Sequence, residues 1–172
     1  MRWAITGTPG TGKTTAASRL RVDRPVVHLN ELIDAENFVV GHDHDRDTTI
    51  ADIDGLRAWT AVQPEDVVIE SHLAHLLPVD RVIVLRCHPD TLRDRLKTRN
   101  EDANTNTAIE ENIESERLDV ILTEAVYEHG ERNIFEIDTT EKTPDEVTLA
   151  VEDAITGRRE PSVGRVSYFG ES

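Results

Sequence analysis

Short apolar runs and longer amphipathic stretches follow one another along the chain, and their order predicts alternating strands and helices. Five apolar runs predict strands at about residues 2–6, 25–29, 67–70, 81–86 and 133–137. The intervening stretches predict helices at about 15–20, 31–34, 52–62, 89–99, 107–129 and 144–155. The two central apolar runs are nearly continuous, which is typical of strands buried on both faces of a parallel sheet. The pattern therefore predicts an α/β domain in three layers, with about five parallel strands and helices on both faces.

Polar stretches separate these elements. Residues 41–47 carry alternating histidine and aspartate, and we interpret them as a mobile acidic loop. Asn30 is predicted to cap the short helix that follows it. Glycine and proline recur after the last helix, so we expect one domain over residues 1–157 and a flexible tail over 158–172.

The most specific motif lies between the first strand and the first helix. Residues 7–14 read GTPGTGKT and fit the phosphate-loop pattern G-x-x-x-x-G-K-[ST] in its required strand–loop–helix context. Backbone N–H groups of such a loop point at phosphate oxygens, and the positive end of the following helix adds to their attraction. The motif predicts binding of ATP with Mg²⁺, with Lys13 on the β- and γ-phosphates and the Thr14 hydroxyl on the metal. The residues predicted to contact the nucleotide here are Gly10, Thr11, Gly12, Lys13, Thr14 and Thr15.

A second candidate site follows the third apolar run. Glu70 ends that run, and His72 comes two residues later. A carboxylate at a strand end beside a phosphate loop can hold Mg²⁺ directly or through water, and a histidine there can orient a water or a phosphate oxygen. The alternatives are an acid that caps a neighbouring helix and a solvated loop histidine. His42 and His44 lack the spacing of a tetrahedral zinc site, so we assign them no metal.

Arginines supply the third candidate group. Arg95 and Arg99 lie four residues apart on the helix after the fourth strand, hence on one face. Phosphoryl transfer spreads negative charge over the migrating group, and arginines on a closing lid can neutralise it. Arg99 is the favoured residue for this role, and Arg86 and Arg93 are secondary candidates. The alternative for the pair is ordinary ion pairing with acids on the surface.

Charge and cysteine content narrow the setting. The chain has 34 acidic and 19 basic residues and a formal net charge of −15. This excess disfavours non-specific nucleic-acid binding. It favours either adaptation to high salt or a basic protein partner, and the scattered acids favour the first. The lone Cys87 fits a reducing, cytoplasmic setting, and no apolar stretch has transmembrane length.

Taken together, these motifs resemble the small nuclear-type adenylate kinases, also called coilin-interacting nuclear ATPases, with their archaeal relatives. The resemblance covers about residues 2–155. It is carried by GTPGTGKTT at 7–15, ESH at 70–72, VLR at 84–86, RLKTR at 95–99 and ENIESE at 111–116. DTT at 138–140 with Pro144 is similar to the family's adenine-side loop. Relatives often carry aspartate where Glu70 stands, so this carboxylate reaches one methylene further.

The resemblance implies an activity and its parts. The reaction is ATP plus AMP to two ADP, with slower ATP hydrolysis. Lys13, Arg99, Glu70 and His72 are the implied catalytic residues, and Thr14 and Glu70 the implied metal ligands. Residues of about 28–50 would close over the nucleoside monophosphate, and residues of about 99–109 would form a short lid. The family is also tied to maturation of the small ribosomal subunit through a ribosomal protein.

Other functions stay open at this point. The acceptor side carries no diagnostic motif, so another small molecule could take the phosphoryl group. A GTPase is disfavoured because the chain has no Asn-Lys-x-Asp guanine signature. From a different class, the protein could be an ATP-gated assembly factor that binds a basic ribosomal protein, for which an acidic surface is suited.

Overall fold

A parallel sheet forms the centre of the computed structural model, which describes residues 1–45, 48–99 and 105–170. The strands are β1 Trp3–Gly7, β2 Val26–His28, β3 Val39–Asp43, β4 Thr48–Ala51, β5 Val68–Glu70, β6 Arg81–Arg86 and β7 Ile134–Asp138. Five of them pair in the order β2-β5-β1-β6-β7, and every neighbouring pair is parallel. The predicted five-stranded parallel sheet is confirmed.

Helices cover both faces of this sheet, as predicted. They are α1 Lys13–Arg19, α2 Leu29–Glu36, α3 Ile53–Ala61, α4 Pro89–Arg99, α5 Thr105–Arg117, α6 Val120–His129 and α7 Pro144–Ile155, with 3₁₀ turns at Ala74–Leu76 and Glu131–Asn133. One apolar cluster joins the sheet to α2, α3 and α6, and a second joins it to α1 and α7. A third, smaller cluster lies between α4 and α5.

Strand alternation explains the two clusters. Ala4 and Val82 belong to the first cluster, whereas Ile5 and Ile83, each the next residue along its strand, belong to the second. Successive side chains of a strand point to opposite faces, so a strand covered on both faces must be apolar at every position. Burial of one such aliphatic side chain contributes about 1.5–3 kcal/mol to folding.

The sheet brings the phosphate loop and the acid of β5 together. β1 lies in the middle of the sheet, between β5 and β6. Its residue Ile5 is in register with Glu70, the last residue of β5. The loop that follows β1 therefore leaves the sheet beside Glu70, at the carboxyl edge where ligands bind in open parallel sheets.

The predicted acidic loop at 41–47 is wrong for its described part. Val39–Asp43 and Thr48–Ala51 form an antiparallel hairpin that stands apart from the main sheet, with residues 46–47 outside the described range. Exposure alternates along β3, so its polar residues share the strand with partly buried ones. Because the segment is rich in polar residues, its sequence does not show the two-residue alternation of exposure that is typical of a strand.

The single helix predicted over 107–129 is two helices. α5 ends at Arg117 and α6 begins at Val120, because Asp119 adopts the left-handed conformation with φ 54°. The Asp119 carboxylate contacts the buried guanidinium of Arg86. This long-range contact stabilises the interruption between α5 and α6, which the local sequence pattern does not predict.

Residues 158–170 lie against the domain, which corrects the expected loose tail for this range. Ser162 forms a parallel bridge to Phe135 of β7, and Tyr168 is buried. Val163 packs against the apolar cluster on the α6 side of the sheet. Within the described ranges, no helix combines the length and the apolar character that crossing a membrane requires.

Candidate active site

The phosphate loop has the backbone that its glycines allow. Gly10 has φ 94° and Gly12 has φ 96°, conformations that side chains with a Cβ rarely adopt. A Cβ on Gly10 would also lie 2.8 Å from Leu92 Cδ1, so α4 packs directly on the loop. The loop is tightened further because Thr11 donates two hydrogen bonds to the Thr8 carbonyl, from its backbone N–H at 3.2 Å and from its hydroxyl at 2.8 Å.

Lys13 begins α1 and its side chain folds back over the loop. Its ammonium donates to the Thr8 carbonyl at 3.1 Å, and the residue is only 8% exposed. Burial lowers the pKa of Lys13 to about 8, and the nearby charge of Arg99 lowers it too, while Glu70 and Glu116 oppose the shift. An anion bound beside this buried ammonium would stabilise its charged form and raise its pKa again. Lys13 is therefore suited to binding a negatively charged group.

Glu70 and Thr14 provide adjacent oxygen donors. The Thr14 hydroxyl donates to Oε1 of Glu70 at 3.2 Å, and Nδ1 of His28 lies 2.9 Å from Oε2. Mg²⁺ is usually held by one or two protein oxygens, with phosphate and water oxygens completing its shell. This pair of residues fits such a site. Among the residues described, no three histidine, cysteine, aspartate or glutamate side chains are grouped so as to hold a metal alone.

His72 lies on the loop after β5. Its carbonyl accepts a hydrogen bond from the Thr6 hydroxyl at 3.3 Å, which ties this loop to β1. Burial lowers the pKa of His72 to about 4, and the charges of Lys13 and His75 add to the effect. The imidazole is therefore neutral at physiological pH and can both donate and accept a hydrogen bond.

Two adjoining cavities open at this edge of the sheet. The small cavity, of about 180 Å³, is lined by Pro9, Gly10, Gly12, Lys13, Thr14, Asn30, Glu70, His72 and Arg99. The large cavity, of about 490 Å³, is lined by Gly10, Thr11, Gly12, Thr15, Asp94, Arg95, Thr98, Arg99, Thr139, Lys142, Pro144 and Val147. Gly10, Gly12 and Arg99 line both, so the phosphate loop and Arg99 stand between them. Every residue predicted to be catalytic, to contact the nucleotide or to hold the metal lines one of these cavities, and so does Arg95, whereas the secondary candidates Arg86 and Arg93 do not.

The two candidate arginines of α4 differ in their contacts. Arg99, at the end of α4, lines both cavities, and the predicted lid begins there, although residues 100–104 lie outside the described part of the chain. Arg95 donates to the Thr139 carbonyl at 2.9 Å and to its hydroxyl at 3.2 Å, on the wall of the large cavity. Arg93 instead pairs with Glu110 and Asp90 at the surface and lines neither cavity.

Several residues of the site were not predicted from the sequence. Asn30 was expected to cap a helix that begins at residue 31, but α2 begins two residues earlier, at Leu29, with His28 as its N-cap. The Asn30 side chain instead accepts a hydrogen bond from the Ser71 hydroxyl at 3.0 Å and lines the small cavity. Thr139 and Lys142 line the large cavity. They come from the turn after β7, where the resemblance implied the family's adenine-side loop from the DTT motif and Pro144 but named no individual site residue.

A cluster of buried charged residues is hydrogen-bonded to the phosphate loop through Thr8. Arg86, the last residue of β6, places Nε 2.8 Å from Oε1 of Glu116 and one terminal nitrogen 2.8 Å from Oε1 of Glu136, and it also contacts Asp119. Oε2 of Glu116 accepts a 2.6 Å hydrogen bond from the Thr8 hydroxyl. Burial opposes the charge on Arg86, but these carboxylates more than offset it and raise its pKa. Arg86 lines neither cavity, so its secondary candidacy for charge neutralisation is wrong.

Sequence comparison places the chain among archaeal proteins. Residues 4–119 match a protein family described as AAA domain. A protein of Natronomonas pharaonis named "Putative adenylate kinase" is 50% identical over 168 residues, covering 98% of both chains. Proteins of the same name are 50% identical over 169 residues in Halobacterium salinarum, covering 98% of both chains, and 42% identical over 168 residues in Methanothermobacter thermautotrophicus, covering 96% of both.

Solved structures agree with the fold at low sequence identity. Shikimate kinase from Bacteroides thetaiotaomicron superposes with a TM-score of 0.58 at 17% identity, over 91% of this chain and 98% of that one. The YorR protein from Bacillus subtilis, solved in complex with phosphorylated GDP, gives 0.59 at 12% identity, over 92% and 97%. At this identity the likeness shows a shared fold and nothing of the substrate.

Proposed function

Because this chain belongs to the archaeal adenylate kinase-like family that carries the AAA domain, and is therefore a phosphotransferase, we propose that it converts ATP and AMP to two ADP, with slower hydrolysis of ATP. One observation carries the proposal. The polar small cavity and the large cavity meet at the phosphate loop, with Lys13 lining the first and Arg99 lining both. The large cavity has the size of a small-molecule site, about 300–1,000 Å³.

The donor nucleotide is assigned to both cavities. Its triphosphate would lie on the loop amides of residues 10–15, and its base in the large cavity between Arg95 and Pro144. The acceptor would approach the small cavity from the side of Asn30 and His28, where α2 begins. The hairpin that follows α2 falls within the predicted monophosphate region of about 28–50. The predicted lid of about 99–109 would close from the end of α4.

The reaction needs little acid–base chemistry from the protein. A phosphate oxygen of AMP, already negatively charged, forms a bond to the γ-phosphorus, and the bond from that phosphorus to the β–γ bridging oxygen breaks, which leaves ADP on both sides. Positioning and neutralisation of the developing charge supply the rate. Lys13 and the loop amides hold the β- and γ-phosphates, and Arg99 faces the migrating group from the rim shared by the cavities.

Thr14 and Glu70 would hold Mg²⁺, which when bound supplies charge neutralisation on the phosphate oxygens. Their oxygens are already 3.2 Å apart, and His28 fixes the second carboxylate oxygen of Glu70. In the hydrolytic side reaction, the neutral imidazole of His72 would orient the attacking water. This division of labour leaves His72 without a necessary role when AMP is the acceptor.

A coupled ADP-formation assay with AMP, CMP, UMP and GMP as separate acceptors, at high KCl concentration, tests the proposal. We expect AMP to give the highest kcat/KM and Lys13→Ala to reduce turnover by at least about 10²-fold, the scale of losing one group that binds transition-state charge. Equal rates with all four acceptors would remove AMP as the specific substrate. Full activity in Lys13→Ala would remove the phosphate loop from the mechanism.

A second function is suggested by surface charge. The net charge of −15 is complementary to a basic protein, and the family resemblance points to a small-subunit ribosomal protein as partner. The 50% identical relatives come from the halophilic archaea Natronomonas and Halobacterium, which makes salt adaptation the rival explanation. Co-purification with ribosomal proteins in high salt, with and without ATP, separates the two, because screening abolishes purely electrostatic capture.

The buried thiol of Cys87 supports our placement of the protein in the cytoplasm.

A further inference from the structure

The segment after α7 extends the sheet and returns to the edge that carries the site. The N–H of Ser162 donates to the Ile134 carbonyl at 2.9 Å, and its carbonyl accepts from the Glu136 N–H at 2.9 Å. The Arg165 N–H then donates to the buried Glu136 carboxylate at 2.7 Å. The two backbone hydrogen bonds of Ser162 follow the parallel pattern of the sheet. They carry the chain along β7 toward the carboxyl edge.

Tyr168 is the residue of this segment that lies at the carboxyl edge of the sheet. It is 5% exposed, whereas the next residue, Phe169, is 74% exposed. The Tyr168 ring meets the ring of His88 edge-on at 5.3 Å, and the Arg86 guanidinium carbon lies 5.5 Å from its centroid. Contacts of this kind hold an aromatic ring in one place.

The Tyr168 hydroxyl touches the turn that follows β7 on both sides of Thr139. It donates to Asp138 Oδ1 at 3.3 Å and lies 3.4 Å from the Thr140 hydroxyl oxygen. Both distances are longer than the usual 2.7–2.8 Å for hydroxyl hydrogen bonds. The buried ring therefore contributes more to this contact than the hydroxyl does.

The same turn forms a wall of the large cavity. Thr139 lines the cavity, and Arg95, another lining residue, donates to the Thr139 carbonyl at 2.9 Å. Tyr168 is not among the lining residues, so it acts on the cavity indirectly, through the turn that its hydroxyl contacts. The Thr140 hydroxyl also accepts from the His88 N–H at 2.9 Å, which joins the turn to the start of α4.

We propose that Tyr168 is a positioning residue for the nucleotide base: the C-terminal segment holds the turn at 138–140, and with it Thr139 and Arg95, in the arrangement that accepts the base. This inference rests on the proposed function, because it takes the large cavity as the base site. It gives the segment after α7 a role in the affinity for the nucleoside part of ATP and none in the affinity for its phosphates.

Isothermal titration calorimetry on the full chain with two probes, ATP and inorganic tripolyphosphate, each with Mg²⁺ in high KCl, tests the proposal. Tripolyphosphate engages the phosphate loop but has no base. We expect Tyr168→Ala to weaken ATP binding about tenfold, equivalent to about 1.4 kcal/mol, and to leave tripolyphosphate binding within about twofold. Tyr168→Phe keeps the ring and should lose no more than about threefold for ATP. Phe169→Ala, the exposed neighbour, is the matched control and should bind both probes as the unaltered protein does.

The ratio of the two affinities decides the outcome. Equal weakening of both probes by Tyr168→Ala would show general loosening and overturn the proposal, as would unchanged ATP binding. If circular dichroism shows that Tyr168→Ala does not fold, Tyr168→Leu replaces it, with the same selective loss expected and the same results overturning it. An unaltered protein that binds ATP no more tightly than tripolyphosphate would also overturn it. An unaltered protein that binds ATP selectively but fails to phosphorylate AMP would refute the proposed reaction alone.

Discussion

Arg86 and Glu116 form a buried ion pair directly beneath the phosphate loop, with Nε of the arginine 2.8 Å from Oε1 of the glutamate. The other glutamate oxygen receives the Thr8 hydroxyl at 2.6 Å. The backbone carbonyl of Thr8 accepts a hydrogen bond from the ammonium of Lys13. The carboxylate of Glu116 thus joins the end of β6, the phosphate loop and helix α5, which begins within the predicted lid.

Replacing Arg86 by methionine should destabilise the fold strongly. The change leaves the carboxylates of Glu116 and Glu136 buried without their cation, and breaking a buried pair in this way costs about 3–5 kcal/mol. Urea unfolding at high KCl measures the loss. Arg93→Met is the matched control, because its ion pairs are at the surface, and it should cost less than about 1 kcal/mol. Similar losses in the two variants would contradict a structural role for the cluster.

The pKa of Lys13 predicts how nucleotide affinity depends on pH. In the free protein the ammonium, with a pKa of about 8, loses its proton as the pH rises through that value, while a bound triphosphate would hold the proton on. ATP affinity should therefore be constant below pH 8 and fall above it, with proton uptake on binding. Titration calorimetry at pH 7 and pH 9, in buffers of different ionisation enthalpy, measures both quantities.

Lys13→Arg provides the control for this pH effect. Arginine keeps its charge throughout the range, so any remaining affinity should no longer fall between pH 7 and pH 9. A decline of the same size in both proteins would mean that another group titrates. The comparison depends on the slope with pH, and a lower overall affinity of the variant does not affect it.

His72→Ala should reduce ATP hydrolysis about 10–10²-fold while AMP phosphorylation stays within about threefold, because only hydrolysis needs a positioned water. The two reactions of one variant serve as each other's control. Since the pKa of His72 is about 4 and the imidazole is neutral above that value, hydrolysis should show no inflection from His72 between pH 5 and pH 8. Equal losses in both assays would remove its separate role.

Glu70→Gln should raise the Mg²⁺ concentration needed for half-maximal activity by about tenfold or more, because a neutral amide is a much poorer ligand than a carboxylate. The variant keeps the shape of the side chain and its contacts with Thr14 and His28 within reach. Glu65→Gln, at an exposed position shortly before the same strand, is the control. An unchanged Mg²⁺ requirement in Glu70→Gln would exclude the carboxylate from the metal site.

Much of the site was predictable because its chemistry is encoded locally. The phosphate loop is one continuous stretch, with glycines where φ is positive at Gly10 and Gly12 and a lysine at the start of the helix. Glu70 and His72 were predictable from their place after an apolar run, because carboxyl ends of parallel strands meet at one edge. Asn30 was missed, and Thr139 was indicated only as part of the adenine-side loop that the resemblance implies. Each is an ordinary polar residue until distant segments bring it to a cavity wall.

The amino-acid sequence by itself determined the parallel sheet, its covering helices and the phosphate loop, since hydrophobic periodicity and backbone freedom act over a few residues. Tertiary structure alone decided the hairpin after α2, the break at Asp119, the burial of Arg86 and the return of Tyr168 to the site. Apart from the hairpin, whose strands pair locally, each of these depends on a partner far along the chain, such as Glu116 for Arg86 and Asp138 for Tyr168. A charge or a hydroxyl group is stabilised in the interior only where a hydrogen-bonding or oppositely charged partner lies beside it, and such distant partners come together only in the folded chain.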